Sequence, residues 1–519
     1  MKPTGKSTAA WAGKRLALSI AASLCATVCG AGEAAVAARA YRISHERQIV
    51  QDFRDFLSLQ NVASDTEDMD RNADWITRKL GEHGFETAVW RAGGAPYVFA
   101  ERRAEGAAPT LLIYAHFDGQ PVAAAEWASL PWEPTLRDGM VEAGGRIIPW
   151  DSVDGRYDPE WRIFARSAGD DKGPIIALMA ALDGLAAAGI APSVNIKLLL
   201  DGEEEAGSPT LAAILDANGD ALDADLMLFC DGPMHQSRRR QLVFGVRGSM
   251  TVDLTTYGAI RPLHSGHYGN WAPNPTDTLV RLLSSMKDAE GRIVVPGFSD
   301  AARPITAAER TAIDAMPRID ETLQTELALA RTEGGDERIE ALVLRPAIIV
   351  KGLQAGGVGK QSSNVIRPSA TASLNIRLVP DQTPAVVAEN LEAFFKDEGF
   401  HIVHSEPGPD VLREHQRVLR VDWRPGAYPG FRSRLDGPEA QRLVRILDDI
   451  DGQNTLLTPI MGGSLPVYLF ERVLDAPIIL LPVANHDNNQ HGRDENLRLQ
   501  NLWDAIEIYA AVLADFGKN

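Results

Sequence analysis

Histidine and carboxylate side chains recur in this sequence just after short apolar runs: His116-Phe117-Asp118, Asp201-Gly202-Glu203-Glu204-Glu205, Asp231, and a loop holding His486 and His491. A further acidic pair, Asp170-Asp171, opens a helical stretch at Lys172, where a helix N-terminus favours negative charge. Imidazoles together with carboxylates are the donors that borderline divalent ions such as zinc prefer. The set is larger than one ion needs. Two ions bridged by a carboxylate, about 3.5–4 Å apart, would use it fully, and such a pair serves hydrolysis. Each piece alone is ordinary: His116 reads singly as a structural histidine, and Glu203–Glu205 as a solvated acidic turn. Their shared position carries the reading.

That position is set by four runs, Thr110–Ala115, Val194–Leu200, Asp225–Cys230 and Ala476–Val483, each short, apolar and unalternating. Unalternating strands separated by helices predict an α/β domain with its sheet covered on both faces. In such sheets ligands bind beyond the carboxyl ends of the strands. Helices are predicted from Lys172, with Ile175, Ile176, Met179 and Leu182 on one face, and over Ser44–His83. From about Val246 the runs Met250–Thr256 and Ala372–Leu378 alternate, with helices predicted over Thr276–Lys287 and Pro384–Glu398. This suits a smaller α+β domain inserted into the first, and the Pro/Gly-rich stretch Arg424–Gly430 reads as the route back. The expected division is 40–245 and 416–519 for the first domain and 246–415 for the inserted one.

The 519 residues, 45% hydrophobic and 24% charged, exclude disorder as an overall description. With 52 basic against 70 acidic residues, a net charge of −18 and no basic tract, the chain lacks the stripe that nucleic acid requires. Lys2, Lys6, Lys14 and Arg15 precede the apolar run Leu16–Ala31, and small residues stand at Cys29-Gly30-Ala31 and Ala35-Val36-Ala37. This predicts a signal peptide within 1–37, cleaved near 31 or 37; the run is shorter than the ~20 residues of a membrane span. The expected location is the bacterial periplasm, with no membrane attachment after cleavage. Two of the three cysteines lie in that segment, and Cys230 reads as a buried small residue, so no internal disulfide is expected.

Five ordered motifs sharpen the reading: His116-Phe117-Asp118-Gly119-Gln120-Pro121, Arg166 to Gly173, Glu204-Glu205-Ala206-Gly207-Ser208, His264-Ser265-Gly266 and His491-Gly492-Arg493-Asp494-Glu495. From roughly residue 45 to the C-terminus the chain resembles the di-zinc exopeptidases that include carnosinase, carboxypeptidase G and succinyl-diaminopimelate desuccinylase. The resemblance implies a catalytic α/β domain with a mixed, largely parallel sheet, an inserted α+β dimerisation domain, a homodimer, and two Zn2+ per subunit, with Mn2+ or Co2+ as alternatives. It implies that His116 and Asp231 complete one site, Glu205 and His491 the other, and Asp170 bridges them, with the Asp170-Asp171 peptide cis. Glu204 would be the general base and Asp118 would orient His116. His264 would act across the dimer, Arg377 would grip a substrate carboxylate, and Gly463 and Ser464 would form a substrate loop.

On residue types alone His486 competes with His491, although Asp494-Glu495 favours the latter; His235 and His267 read as loop residues, and Gly462-Gly463-Ser464 as a turn. The chain departs from its relatives at Ala165-Arg166-Ser167, where they usually read Gly-Arg-Gly, and in a longer segment, Ala143–Arg162, with Trp150 and Trp161. The expected activity is hydrolysis of a dipeptide or an N-acyl amino acid with a free carboxylate. The alternatives are a non-peptide amidase or deacylase with the same metals, and a catalytically silent binding protein on this fold.

Overall fold

The computed structural model describes residues 31–463 and 465–518. Most of the expected signal peptide, residues 1–30, and Ser464 lie outside the described residues.

The apolar runs become the middle of an eight-stranded sheet. In spatial order its strands are Glu86–Trp90, Tyr97–Arg102, Asn195–Asp201, Thr110–His116, Leu226–Phe229, Ile478–Leu480, Gln241–Val243 and Leu456–Thr458. The four predicted strands lie side by side and parallel, so their carboxyl ends share one rim, with His116 opposite Asp201 in register. Their lack of alternation has a direct cause. Leu111 and Ile113 face helices Ala31–Leu57, Lys172–Ala187 and Leu499–Asp515, while Leu112 and Tyr114 face Leu211–Asn218 and Val467–Phe470. Both faces are buried, and each large apolar side chain contributes about 1.5–3 kcal/mol there.

The helix predicted over Ser44–His83 is two helices, Ala31–Leu57 and Thr66–Glu82. Asp65 starts the second by accepting a hydrogen bond from the Asp68 amide at 3.1 Å. The first begins earlier than expected, with Ala34, Ala35 and Ala38 fully buried.

The inserted domain has a five-stranded sheet in the order Ala347–Gln354, Ser369–Leu378, Gly248–Tyr257, Val418–Trp423 and His401–Val403, antiparallel except for the last pair. Helices Pro275–Ser285 and Pro384–Asp397 pack on its apolar face, which explains the alternation. Strand Val418–Trp423 carries this sheet past residue 415, to the edge of the Arg424–Gly430 stretch. A helical excursion, Ala307–Ala315, Asp320–Glu326 and Ile339–Leu342, leaves the inserted domain and packs Ile313, Ala341 and Leu344 on Ile460.

A small third sheet, Asn496–Arg498, Arg162–Phe164 and Thr135–Arg137, stands beside the rim. Segment 143–162 runs from there to the first helix, where the Tyr157 amide donates to Glu46 Oε2 at 2.9 Å. Just before it, Glu142 Oε1 accepts from Asn489 Nδ2 at 3.1 Å, in the loop that carries His491. Among the described residues no helix is long and apolar enough to cross a membrane.

Candidate metal centre

His116 ends its strand with no solvent exposure, which fixes the ring among carboxylates. Its Nε2 lies 2.8 Å from Asp170 Oδ1 and 4.0 Å from Asp231 Oδ2, and its Nδ1 lies 3.2 Å from Asp118 Oδ1. The second histidine, His491, has Nε2 3.2 Å from Asp170 Oδ2 and 3.1 Å from Glu205 Oε2. Two groups result, His116, Asp170 and Asp231, and Asp170, Glu205 and His491, each with donor atoms within 4.8 Å of one another. Asp170 belongs to both. His486 belongs to neither, which separates the two candidates that residue type left open.

The donor set fits divalent ions. Asp170 Oδ2 is buried without a hydrogen-bond partner although it faces an imidazole. Burial and the charge of Asp170 push Asp231 up to about 7. Close contacts with the Asp170 and Glu205 carboxylates push His491 up to about 10. Burial opposes charge on His116, but Asp118 and Asp170 outweigh it and raise that group too. Against its burial, the imidazoles hold Asp170 well below the usual carboxylate range, whereas Asp231 and Glu204 are raised and would give up protons to a cation.

The supports are as specific as the donors. Asp118, wholly buried, accepts the Glu204 amide on Oδ1 and the Glu205 amide on Oδ2, both at 3.0 Å, while its Oδ1 also faces His116. One carboxylate thereby fixes a ring and the acidic turn together. Burial raises the Glu204 carboxyl well above the ordinary range; His116 opposes this, while Asp231, Asp170 and Glu205 add to it. The Asp170-Asp171 peptide is cis.

Three supporting residues, Glu495, Arg166 and Gln120, lay inside the sequence motifs without being given a role there. Glu495 Oε1 accepts the amides of Gly169 and Asp170 at 3.0 Å, and its Oε2 accepts the Ser167 amide at 3.0 Å and Arg166 Nη1 at 2.6 Å. Gln120 Nε2 donates to Glu205 Oε2 at 2.8 Å. The only signal was the placement of Arg166, Gln120 and Glu495 beside ligands, because residue type alone does not reveal a buried polar partner.

The remaining candidates are distributed more widely. Gly463 accepts the Arg247 amide at 3.2 Å, and burial together with the neighbouring Arg377 guanidinium lowers Arg247 to about 10. Met461, in the same loop, packs against Gly232, next to Asp231. Arg377 and Gly463 thus both neighbour Arg247, and neither belongs to a ligand group. His264 is exposed in the inserted domain, its Nδ1 accepting the Gly266 amide at 3.1 Å and its ring 4.6 Å from that of His267. It belongs to neither ligand group. His235 Nδ1 lies 2.8 Å from Ser237 Oγ, and Cys230 is fully buried.

The family model for peptidase family M20/M25/M40 matches residues 112–515. The chain is 26% identical over 490 residues to the cysteinylglycine-S-conjugate dipeptidase of Corynebacterium striatum, covering 91% of this chain and 96% of that one. It is 25% identical over 438 residues to the mouse (Mus musculus) Beta-Ala-His dipeptidase, covering 82% of this chain and 80% of that one. Among solved structures, the M20 family metallo-carboxypeptidase Sso-CP2 of Sulfolobus solfataricus superposes with a TM-score of 0.71 at 25% identity, over 90% of this chain and 99% of that one. Human carnosine dipeptidase 1 shares the fold with a TM-score of 0.69 at 19% identity, over 93% and 99% of the two chains.

Proposed function

Because the chain belongs to peptidase family M20/M25/M40 and is a metal-dependent peptide hydrolase, we propose that it is an exported, homodimeric zinc enzyme that cleaves a dipeptide or an N-acyl amino acid with a free carboxylate. One observation carries the reading: two ligand groups share Asp170, with Glu204 on the turn beside them. His116 and Asp231 would hold one ion, Glu205 and His491 the other. Divalent ions held there would lower the pKa of water to about 7 and polarise the scissile carbonyl.

The residues supply the rest. Glu204, whose buried carboxyl binds protons readily, accepts a proton from the attacking water and returns it to the leaving amine. Asp118 keeps the His116 ring and the Glu204 amide in fixed relation. Arg377 offers a planar fork for the substrate carboxylate, beside the loop of Gly463. His264, exposed and outside its own chain's ligand groups, reaches a partner's site and donates to the oxyanion. Export fits the signal peptide read from the sequence, and cleavage near 37 would remove the buried Ala34 and Ala35 from the first helix.

Zinc content measured alongside a panel of dipeptides and N-acyl amino acids tests this. The expected outcome is about two ions per chain and turnover confined to substrates with a free carboxylate. Bound metal without turnover of any amide would refute it.

A further inference from the structure

The acidic run Glu203-Glu204-Glu205 contains one carboxylate that takes no part in the centre. Glu203 is 3% exposed and turns into the protein, away from the metal ligands. Its Oε2 accepts the Ala95 amide at 3.1 Å; its Oε1 accepts the Thr210 amide at 2.7 Å, Tyr97 Oη at 2.9 Å and Thr210 Oγ1 at 2.5 Å. Both oxygens therefore meet a backbone N–H. Ala95 lies just before strand Tyr97–Arg102, and Thr210 lies just past the turn, so the carboxylate joins a fixed strand to the far end of the segment carrying Glu204 and Glu205.

The approach is close. A methyl group on Gly94 would collide with Glu203 Oε2, and Gly94 has no left-handed φ that would by itself call for glycine. Space for this carboxylate is what that position provides. On the other side of the turn the amides of residues 203, 204 and 205 go to Asp201 Oδ1, Asp118 Oδ1 and Asp118 Oδ2 at 2.8, 3.0 and 3.0 Å. The amides are held from below and the segment is held from behind.

We infer that Glu203 is a positioning residue for the reaction, latching the turn so that the Glu204 carboxylate and the Glu205 ligand oxygens keep their places. The inference rests on the reading of Glu204 as base and Glu205 as ligand. A glutamine cannot replace it. Whichever way the amide is turned, its NH2 group meets a backbone N–H, at Ala95 or at Thr210, and one buried donor loses its acceptor.

The experiment compares E203Q and G94A with the wild type in kcat, KM and calorimetric zinc titration of the metal-free protein. E203Q is expected to lower kcat about tenfold to a hundredfold with KM within about twofold. It should also weaken one of two zinc-binding events while sparing the other, because the turn carries Glu205 but not His116 or Asp231. G94A keeps the carboxylate and displaces it, and should show the same pattern more weakly. A lower melting temperature with wild-type kcat and both wild-type zinc affinities, in either folded variant, would reduce Glu203 to a stability role and overturn the inference. If the wild type cleaves no dipeptide or N-acyl amino acid, the functional reading fails, and the zinc titration alone still decides the latch.

Discussion

Asp170 is the residue through which both ligand groups communicate, and its two oxygens face two different imidazoles at 2.8 and 3.2 Å. Asp170→Ala should lower zinc content and thermal stability together, since Asp231, Glu204 and Glu205 would then face one another without their cations; unchanged zinc binding by metal analysis would contradict the shared role. Glu204→Gln is a different case. The ligand groups remain, so zinc content should hold while turnover falls about 10²–10⁴-fold; near-normal turnover at full zinc content would remove Glu204 from the mechanism. Protonation gives a third expectation. In metal-free protein His491 titrates near 10 and Asp231 near 7, both above their unfolded values of about 6.5 and 3.8. Raised folded values mean stability that is present at low pH and lost as pH rises through them. Melting temperatures of chelated protein should therefore fall between about pH 4 and 10, while zinc-loaded protein, whose ligands are deprotonated, should lose less. The ligand types were legible in the sequence because His116, Glu205, Asp231 and His491 lie beyond apolar runs and Asp170 opens a helical stretch. The difference between Glu203 and its two neighbours was not, because three identical side chains point in directions that only packing decides.

At the scale of elements, the sequence reading succeeded where one physical demand governed a whole segment. Strand Thr110–His116 is buried on both faces and strand Ser369–Leu378 on one, and each shows the matching pattern. It failed where the demand was local. Leu59 and Val62 continue the apolar spacing across the break between the first two helices, yet Asn61, fully buried, ends the run by donating to Phe117 O at 2.7 Å and Ser167 Oγ at 2.8 Å. The third sheet was invisible because its strands are three residues long, too short for any period. Segment 143–162 is held to the first helix at Glu46, which also receives Arg42 Nη1 at 2.8 Å. Glu46→Ala leaves the buried Tyr157 amide without an acceptor and should cost about 1–3 kcal/mol in chemical denaturation. It should also speed proteolysis within 143–162; cleavage at the wild-type rate would show that Glu46 does not hold the segment.

At the scale of the whole molecule, the proposed role of His264, exposed in the inserted domain, can be tested by mixing subunits. If His264 works in the partner's site, Glu204→Ala and His264→Ala homodimers are both inactive, but their hybrid has one site with both residues intact. Random exchange makes about half of the dimers hybrid, each with one good site of two, so about a quarter of wild-type activity should return in a closed two-fold assembly. Mixing under conditions shown to exchange subunits, with no recovery, would confine His264 to its own chain or to no role.

The order of the ligands along the chain has a consequence for biosynthesis. His116, Asp170, Glu205 and Asp231 precede the inserted domain, while His491 and the supporting Glu495 follow it, 260 residues after Asp231. A folding chain that has so far supplied only residues up to Asp231 carries the groups of the His116 side but nothing to close the His491 side. If His491 is a ligand as proposed, a product truncated anywhere before it should be harmless to the peptides around it.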